Sequence, residues 1–341
     1  MDSLTQIVLG STVAALSVPA RHRRAALVAG ALLGTLPDLD SLPLMLVDDP
    51  VATMTWHRGP SHSLLVLPFV GLLIWSLLRR VWTPVREAPR AWMWAIQLAL
   101  LTHPLLDAFT VYGTQLLWPL PVRPAMWSSL FIIDPLYTLP LLAGVVAAAF
   151  AGPRRWARPW LLAGALLSTA YVGWSLTAKW MVEREAAAAL AAAGHADAPR
   201  FSVPTPLNTL LWNVVAMTPD GYLVGERSVV ADRGPMRFRH YASDIAALEA
   251  ARDVPAVARL TWFNHGFMRA RVDEDGRLVL SDLRMGNEPD YTFSFAVAAR
   301  DGTRWTPLDP PAQLRPELRL RGGLGALWQR IWNEPAPEAA D

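Results

Sequence analysis

Histidine, arginine and serine are concentrated in one short stretch, Trp-His-Arg-Gly-Pro-Ser-His-Ser at residues 56–63. Histidine is the commonest metal ligand in proteins, and an arginine beside a metal ion is suited to hold phosphate or carboxylate oxygens. The apolar run at 64–78 follows directly and could be buried without polar residues in front of it. The stretch therefore predicts a metal or anion site, with simple helix capping by His57 and His62 as the alternative.

Two further pairs of residues have the spacing of metal ligands. Asp38 and Asp40 follow a proline, and carboxylates this close repel each other unless a cation or water separates them. An ordinary solvated turn is the alternative for this pair. His103 and Asp107 are four residues apart, so they share one helix face if the helix continues through Pro104. Ionisable residues in such an apolar segment indicate a functional site.

Asp134 lies in Ile-Asp-Pro-Leu, near the start of a long apolar run. An unpaired carboxylate there would cost a few kcal/mol. A metal ion would remove most of that cost, and so would pairing with Arg58 or Arg123. The sequence leaves both possibilities open.

Histidines and carboxylates without any cysteine favour a catalytic zinc site, with Mn²⁺ or Fe as alternatives. One to three ions are expected, because two ions about 3.5–4 Å apart are a common device for hydrolysing phosphoesters. The candidate catalytic residues are Asp40, Arg58 and Asp107, and the candidate substrate-binding residues are Arg58, Ser61 and Ser63. The candidate metal ligands are Asp38, Asp40, His57, His62, His103, Asp107 and Asp134.

The composition is that of a protein partly embedded in a membrane. Hydrophobic residues make up 52% of the 341 residues and charged residues only 18%, against roughly 25% charged in soluble domains. The apolar segments predict an integral membrane helical bundle with six membrane segments, at residues 1–18, 25–36, 64–78, 91–106, 130–151 and 160–181. The net charge of +2 is too small to indicate a nucleic-acid partner.

Arginine placement predicts how the chain is oriented in the membrane. The arginine clusters at 21–24, 79–90 and 154–158 fall in alternate connections, which the positive-inside rule assigns to the cytoplasm. All seven candidate ligands then lie at the outer ends of their segments. Everything after residue 181 is expected outside the cytoplasmic membrane.

Four regions are expected along the chain. A helical membrane domain with the metal site covers 1–181, and a helical linker covers 182–206. A smaller β-rich (α+β) extracytoplasmic domain covers 207–333, with strands predicted at 210–216, 222–230, 259–272, 277–283 and 291–298. An amphipathic helix at 324–332 could lie on the membrane surface, and the tail at 334–341 is expected to be disordered.

Several motifs resemble those of one family. These are Met-Asp-Ser-Leu-Thr at 1–5, Leu-Pro-Asp-Leu-Asp at 36–40, His-Arg-Gly-Pro-Ser-His-Ser at 57–63, His-Pro-Leu-Leu-Asp at 103–107 and Ile-Asp-Pro-Leu at 133–136. They resemble the YdjM-type membrane-bound, metal-dependent hydrolases of bacterial inner membranes. The resemblance implies a hydrolase distantly similar to zinc-dependent phospholipase C and P1-type nucleases, with zinc and a phosphoester or lipid-linked substrate. The family often has histidine where this chain has Gln6, a poor zinc ligand.

Two other functions fit the same residues. A metal transporter or sensor would bind the cation transiently, near the bilayer midplane. A structural protein would use the metal to hold its helices together and the β-rich domain to bind a partner. The expected partners are the lipid bilayer and the lipid or phosphoester substrate; the oligomeric state is not predicted.

Overall fold

The computed structural model describes residues 1–302, 304–315 and 323–335, and these fall into two compact units. The helical unit comprises Met1–Val47, Thr53–Trp127 and Ile132–Trp174. The β-rich unit comprises Asp48–Ala52, Ser128–Phe131 and the described residues from Ser175 onward. The last part of the expected tail, 336–341, lies outside the described residues.

Helices follow one another along the first 192 residues. They are α1 (Ser3–Ser17), α2 (Arg23–Thr35), α3 (Ser41–Leu44), α4 (Pro50–Trp56), α5 (Leu67–Val81), α6 (Thr83–Glu87), α7 (Pro89–Ala108), α8 (Pro135–Ala151) and α9 (Ala157–Ala192). Several start where the sequence provides a start signal. Asp2 and Asp134 cap α1 and α8 through their carboxylates, and a proline occupies the first turn of α5 and α7.

Glycines allow α1 and α2 to approach closely. A Cβ added at Gly10 would lie 2.3 Å from the carbonyl oxygen of Gly30, and one added at Gly34 would lie 2.4 Å from the carbonyl oxygen of Gln6. Only glycine fits these positions. Leu33 of α2 also shares a buried cluster with Ile96 of α7. This packing brings the carboxyl end of α2 beside the carboxyl half of α7.

Among the described residues, two helical stretches are long and apolar enough to cross a membrane. They are Ala20–Leu44, which includes α2 and α3, and α9. Pro50–His62 and Leu67–Val81, bent by 58°, count as a third if the pair is one broken span. Helix α1 has 15 residues and α8 has 17, fewer than the roughly 20 that a crossing needs. The prediction of six membrane segments is therefore not supported.

Two four-stranded antiparallel sheets and a short hairpin form the β-rich unit. The first sheet has the order β1 (Arg200–Pro204), β2 (Leu211–Thr218), β3 (Gly221–Ser228), β4 (Arg239–Ala242). The second has the order β10 (Arg304–Leu314), β9 (Ser294–Asp301), β6 (Arg277–Asp282), β5 (Met268–Val272). The hairpin joins β7 (Gly286–Asn287) to β8 (Asp290–Tyr291), and the helices are α10 (Ile245–Ala250), α11 (Pro255–Phe263) and α12 (Gly323–Trp332).

Two stretches differ from the sequence-based expectation. The segment 182–206 was predicted as a helical linker. Its first part is helical and forms the end of α9, whose Val182, Ala186 and Leu190 are buried against the first sheet, whereas Arg200–Pro204 form the strand β1 of that sheet. The predicted strand at 259–272 is helical in its first part, where α11 buries Val257 and Leu260 at helical spacing, and only β5 is extended.

Candidate metal centre

The two aspartates of the Leu-Pro-Asp-Leu-Asp motif follow the carboxyl end of α2. They lie in a tight 3₁₀ turn, Leu36–Asp40, that continues the direction of the helix. The Trp56–Ser63 stretch connects α4 to α5 and contains a second 3₁₀ turn, Pro60–His62. Within it Arg58 has a positive φ of 62°, which is uncommon for a residue with a side chain and indicates that the surrounding contacts fix this conformation.

His103 and Asp107 lie on one face of α7, as their spacing predicts. Pro104 does not end the helix, which continues to Ala108. The two side chains are buried, and they point to the place where the turn after α2 meets the α4–α5 connection.

Four side chains from these three segments converge. One ligand atom from each of Asp38, His62, His103 and Asp107 lies within 4.8 Å of every other. The two imidazole Nε2 atoms are 3.1 Å apart. Asp38 Oδ1 is 3.4 Å from Nε2 of His62 and 3.3 Å from Nε2 of His103, while Asp107 Oδ2 is 3.3 Å and 3.7 Å from the same two atoms.

These distances fit a divalent metal ion. Four ligand atoms placed tetrahedrally at about 2.0 Å from zinc lie about 3.3 Å from one another. The five separations given above cluster around that value. In addition, Oδ2 of Asp107 is buried and accepts no hydrogen bond from the described residues, as expected of an atom that has another partner. Two imidazoles and two carboxylates are a donor set that zinc accepts.

Further residues hold the ligands in place. Nδ1 of His103 lies 2.6 Å from the carbonyl oxygen of Gly34, and Nδ1 of His62 lies 2.9 Å from Ser61 Oγ. The amide of Gln6 donates to Oδ1 of Asp107 at 2.9 Å, and the amino group of Met1 contacts the same oxygen. Partners of this kind orient metal ligands and tune their affinity.

Arg58 is buried beside the four-residue group. Its Nε lies 3.0 Å from Oδ2 of Asp107, although the N–H is not directed at that oxygen, and its Nη1 donates to Oγ1 of Thr110 at 3.1 Å. The guanidinium also lies over the ring of Tyr112, 5.0 Å from its centre. With 3% of its surface exposed, Arg58 acts first as an internal counter-charge for Asp107.

Asp40 and His57 form a pair next to the group and are not part of it. Nδ1 of His57 lies 2.8 Å from Oδ1 of Asp40, whose second oxygen accepts from the backbone N–H of Arg58 and the hydroxyl of Ser61. The side chain of His57 is 26% exposed. The pair thus places a partly accessible imidazole beside the buried cluster.

Asp134 and Ser63 lie apart from the converging residues. Asp134 caps α8 by accepting from the backbone N–H groups of Leu136 and Tyr137, and it also accepts from the hydroxyl of Tyr171. Neither a metal nor an arginine is needed to satisfy this carboxylate. Ser63 is buried and donates to the carbonyl oxygen of Trp118, which gives it a structural role in the loop.

Sequence reasoning named Gln6 only as a poor zinc ligand, and it gave no role in the site to the Gly34 carbonyl, Thr110 or Tyr112. Gln6 and Thr110 are buried polar residues next to or inside apolar helices, which is a signal that the sequence does contain. The carbonyl of Gly34 carries no such signal, because every residue has one.

Comparison with known proteins indicates that the first half of the chain is related to membrane proteins. The family model described as YdjM inner membrane protein matches residues 1–182. The uncharacterized protein YfhP of Bacillus subtilis (strain 168) is 28% identical over 155 residues, which are 42% of this chain and 45% of that protein. The match therefore spans less than half of the curated relative. No solved structure was found to match the chain.

Proposed function

Because the chain belongs to the YdjM inner membrane protein family, we propose that it is a membrane-bound, metal-dependent hydrolase. Its metal ion is held by Asp38, His62, His103 and Asp107. The convergence of these four side chains from three separate segments carries the proposal, since no packing requirement brings two imidazoles and two carboxylates together in an apolar helical unit. Zinc is the proposed ion on the basis of the donor set.

When bound, such an ion lowers the pKa of water and polarises a phosphoryl oxygen, which is the chemistry that phosphoester hydrolysis needs. His57 is the proposed proton acceptor. Asp40 orients its ring by the bond to Nδ1, and the partly exposed ring is within reach of water. Arg58 neutralises Asp107 and is proposed to attract the anionic substrate through its charge. Asp40 and Ser61 are proposed to hold the rings of His57 and His62 in position.

The proposed substrate is a phosphoester or another lipid-linked compound that reaches the site from the bilayer. Three of the four ligands are almost fully buried, and Asp38, with 23% of its side chain exposed, marks the accessible side. The large exposed apolar side chains of α2 and α5, including Leu32 and Phe69, are typical of surfaces in contact with lipid.

We place the site at the outer face of the cytoplasmic membrane. Each candidate span has an arginine cluster at the end away from the metal ligands or the β-rich unit, namely Arg21–Arg24, Arg79–Arg80 and Arg154–Arg158. The positive-inside rule assigns those ends to the cytoplasm. The β-rich unit then lies on the extracytoplasmic side.

A structural metal site is the second candidate function. It is favoured by the burial of His62, His103 and Asp107, which suits an ion that holds three helical segments together. The experiment described next distinguishes a catalytic metal site from a structural one.

The purified full chain is analysed for bound metal and assayed on a panel of phosphodiesters and phospholipids. Wild-type protein is expected to hold zinc and to hydrolyse at least one substrate class, and His62→Ala and His103→Ala are expected to lose both properties. His240→Ala is the matched control, since His240 is exposed on β4. Bound metal without hydrolysis on the panel would favour the structural site, and a wild-type protein that binds no metal would overturn the proposal.

A further inference from the structure

Helix α12 carries a row of exposed apolar side chains. Leu324, Trp328 and Trp332 follow one another at intervals of four residues, and their exposed fractions are 56%, 63% and 51%. Residues at this spacing lie on one side of a helix. The two indole rings are in edge contact, with their centres 5.6 Å apart. These three side chains form a continuous apolar surface, which we call the α12 strip.

The rest of the unit fixes the direction in which the α12 strip points. Ile331 is buried, and its carbonyl oxygen accepts from the hydroxyl of Ser228 at 2.6 Å. The preceding residue, Arg330, forms an ion pair with Asp232 at 2.6 Å. Because these contacts attach α12 to the end of β3 and the loop after it, the helix cannot rotate to bury the strip without breaking them.

Strand register places α12 at one particular end of the first sheet. Ser228, which binds α12, pairs with the first residue of β2. The next residue of β2, Trp212, lies beside Lys179 of α9, with Nζ 5.9 Å from the ring centre. Farther along β2, Ala216 packs with Leu190. The end of the sheet that holds α12 is therefore the end next to Lys179.

The membrane boundary on α9 falls at the same level. Trp160 and Trp180 of α9 are 54% and 61% exposed. Twenty residues separate them, which is about 30 Å along a helix and matches the thickness of the hydrocarbon core. Tryptophan is enriched at both membrane–water interfaces. The bilayer surface therefore crosses α9 near Trp180, one residue from Lys179.

We propose that α12 lies in the headgroup layer of the bilayer, with the α12 strip inserted among the acyl chains, and attaches the β-rich unit to the membrane at a second point beside α9. Tryptophan and leucine on one side of a short helix, with polar contacts on another, suit this location. A lipid surface is the occupant that the structure favours, because the strip is at the level where α9 leaves the membrane. The proposal rests on α9 being a span and does not depend on hydrolase activity.

The chain contains no cysteine, so a single nitroxide label can be placed at will. Leu324→Cys puts the label in the α12 strip. Ala326→Cys is the matched control, because Ala326 is exposed on the same helix and lies about 200° around it from Leu324. Each labelled full-length protein is reconstituted into phosphatidylethanolamine/phosphatidylglycerol nanodiscs. The accessibility of the label to oxygen, which concentrates in lipid, is compared with its accessibility to a water-soluble nickel chelate.

The ratio of oxygen to nickel accessibility is expected to be several-fold higher at position 324 than at 326. The difference should disappear when Trp328→Ser and Trp332→Ser are added to the labelled protein. Equal ratios at the two positions in the otherwise native chain would overturn the proposal. A label at 324 that is immobilised and shielded from both reagents would also overturn it, because that result indicates a protein partner or a second copy of the chain on the strip.

Discussion

The Nε2 atoms of His62 and His103 face each other at 3.1 Å. The hydrogen-bond partners of the two Nδ1 atoms determine which ring nitrogens carry protons. The carbonyl oxygen of Gly34 can only accept, so Nδ1 of His103 carries a proton. Ser61 donates to Asp40 and therefore accepts from Nδ1 of His62. In their neutral forms both rings thus direct lone pairs at the same point, and a cation at that point removes their repulsion.

Added zinc is expected to stabilise the wild-type protein against thermal unfolding, because the ion binds the folded site and the unfolded chain lacks it. At a zinc concentration about 100 times the dissociation constant the gain is about 2.7 kcal/mol. His62→Ala and His103→Ala should show almost no gain. Thermal unfolding in detergent with and without zinc measures the effect, and a chelator should reverse it. An equal zinc effect in wild type and both variants would argue against the site.

Gln6→Ala is expected to weaken zinc binding about 10- to 100-fold without abolishing it, since Gln6 holds Asp107 and is not one of the four converging ligands. Gln97→Ala is the matched control. Gln97 is another buried glutamine, and its amide donates to the carbonyl oxygen of Pro68, away from the site. Competition with a zinc-binding dye gives the two affinities. Unchanged binding in Gln6→Ala, or equal losses in both variants, would show that the contact does not tune the site.

Much of the site follows from the sequence because its spacing rules are local. The i, i+4 relation puts His103 and Asp107 on one face of a helix whatever surrounds it. The motifs at 36–40 and 57–63 combine histidine, arginine and aspartate, which do not stabilise the packing of two apolar helices. What the sequence does not contain is which candidates meet in space. Asp134 has the same residue type and a similar apolar context, yet the N–H groups at the start of α8 already satisfy it.

The fold could be predicted from the sequence only where the hydrophobic pattern distinguishes helix from strand. The helical first part and the strand-rich second part follow from composition and period. The number of membrane crossings does not follow from the sequence, because a short apolar segment has the same hydrophobic pattern whether it spans the lipid bilayer or packs inside a helical bundle. The helix α11 was missed for a similar reason, because Thr261, Trp262 and Phe263 near its end are β-branched and aromatic types that also suit strands.

Substitution of Asp134 tests its assignment as a helix cap. Asp134→Ala is expected to lower the free energy of unfolding by about 1–2 kcal/mol, because two backbone N–H groups and the hydroxyl of Tyr171 lose their acceptor. Asp134→Asn keeps a capping oxygen and should lose less. Bound zinc should be unchanged in both variants. Metal analysis beside thermal unfolding provides the check, and loss of zinc in Asp134→Asn would return this residue to the ligand set.

The close approach of α1 and α2 links the packing of the helices to the metal site. A methyl group at Gly10 would meet the carbonyl oxygen of Gly30 at 2.3 Å, so Gly10→Ala must push the helices apart and should cost about 1–3 kcal/mol. Because α1 carries Gln6 and α2 leads into Asp38, the same change should also weaken zinc binding. Gly173→Ala, on α9, is the control: its added Cβ meets no atom within 4 Å, and the lower backbone entropy of alanine should stabilise the helix by about 0.5–1 kcal/mol. Thermal unfolding and zinc titration of both variants test the link, and a Gly10→Ala protein that is less stable but binds zinc normally would separate helix packing from the site.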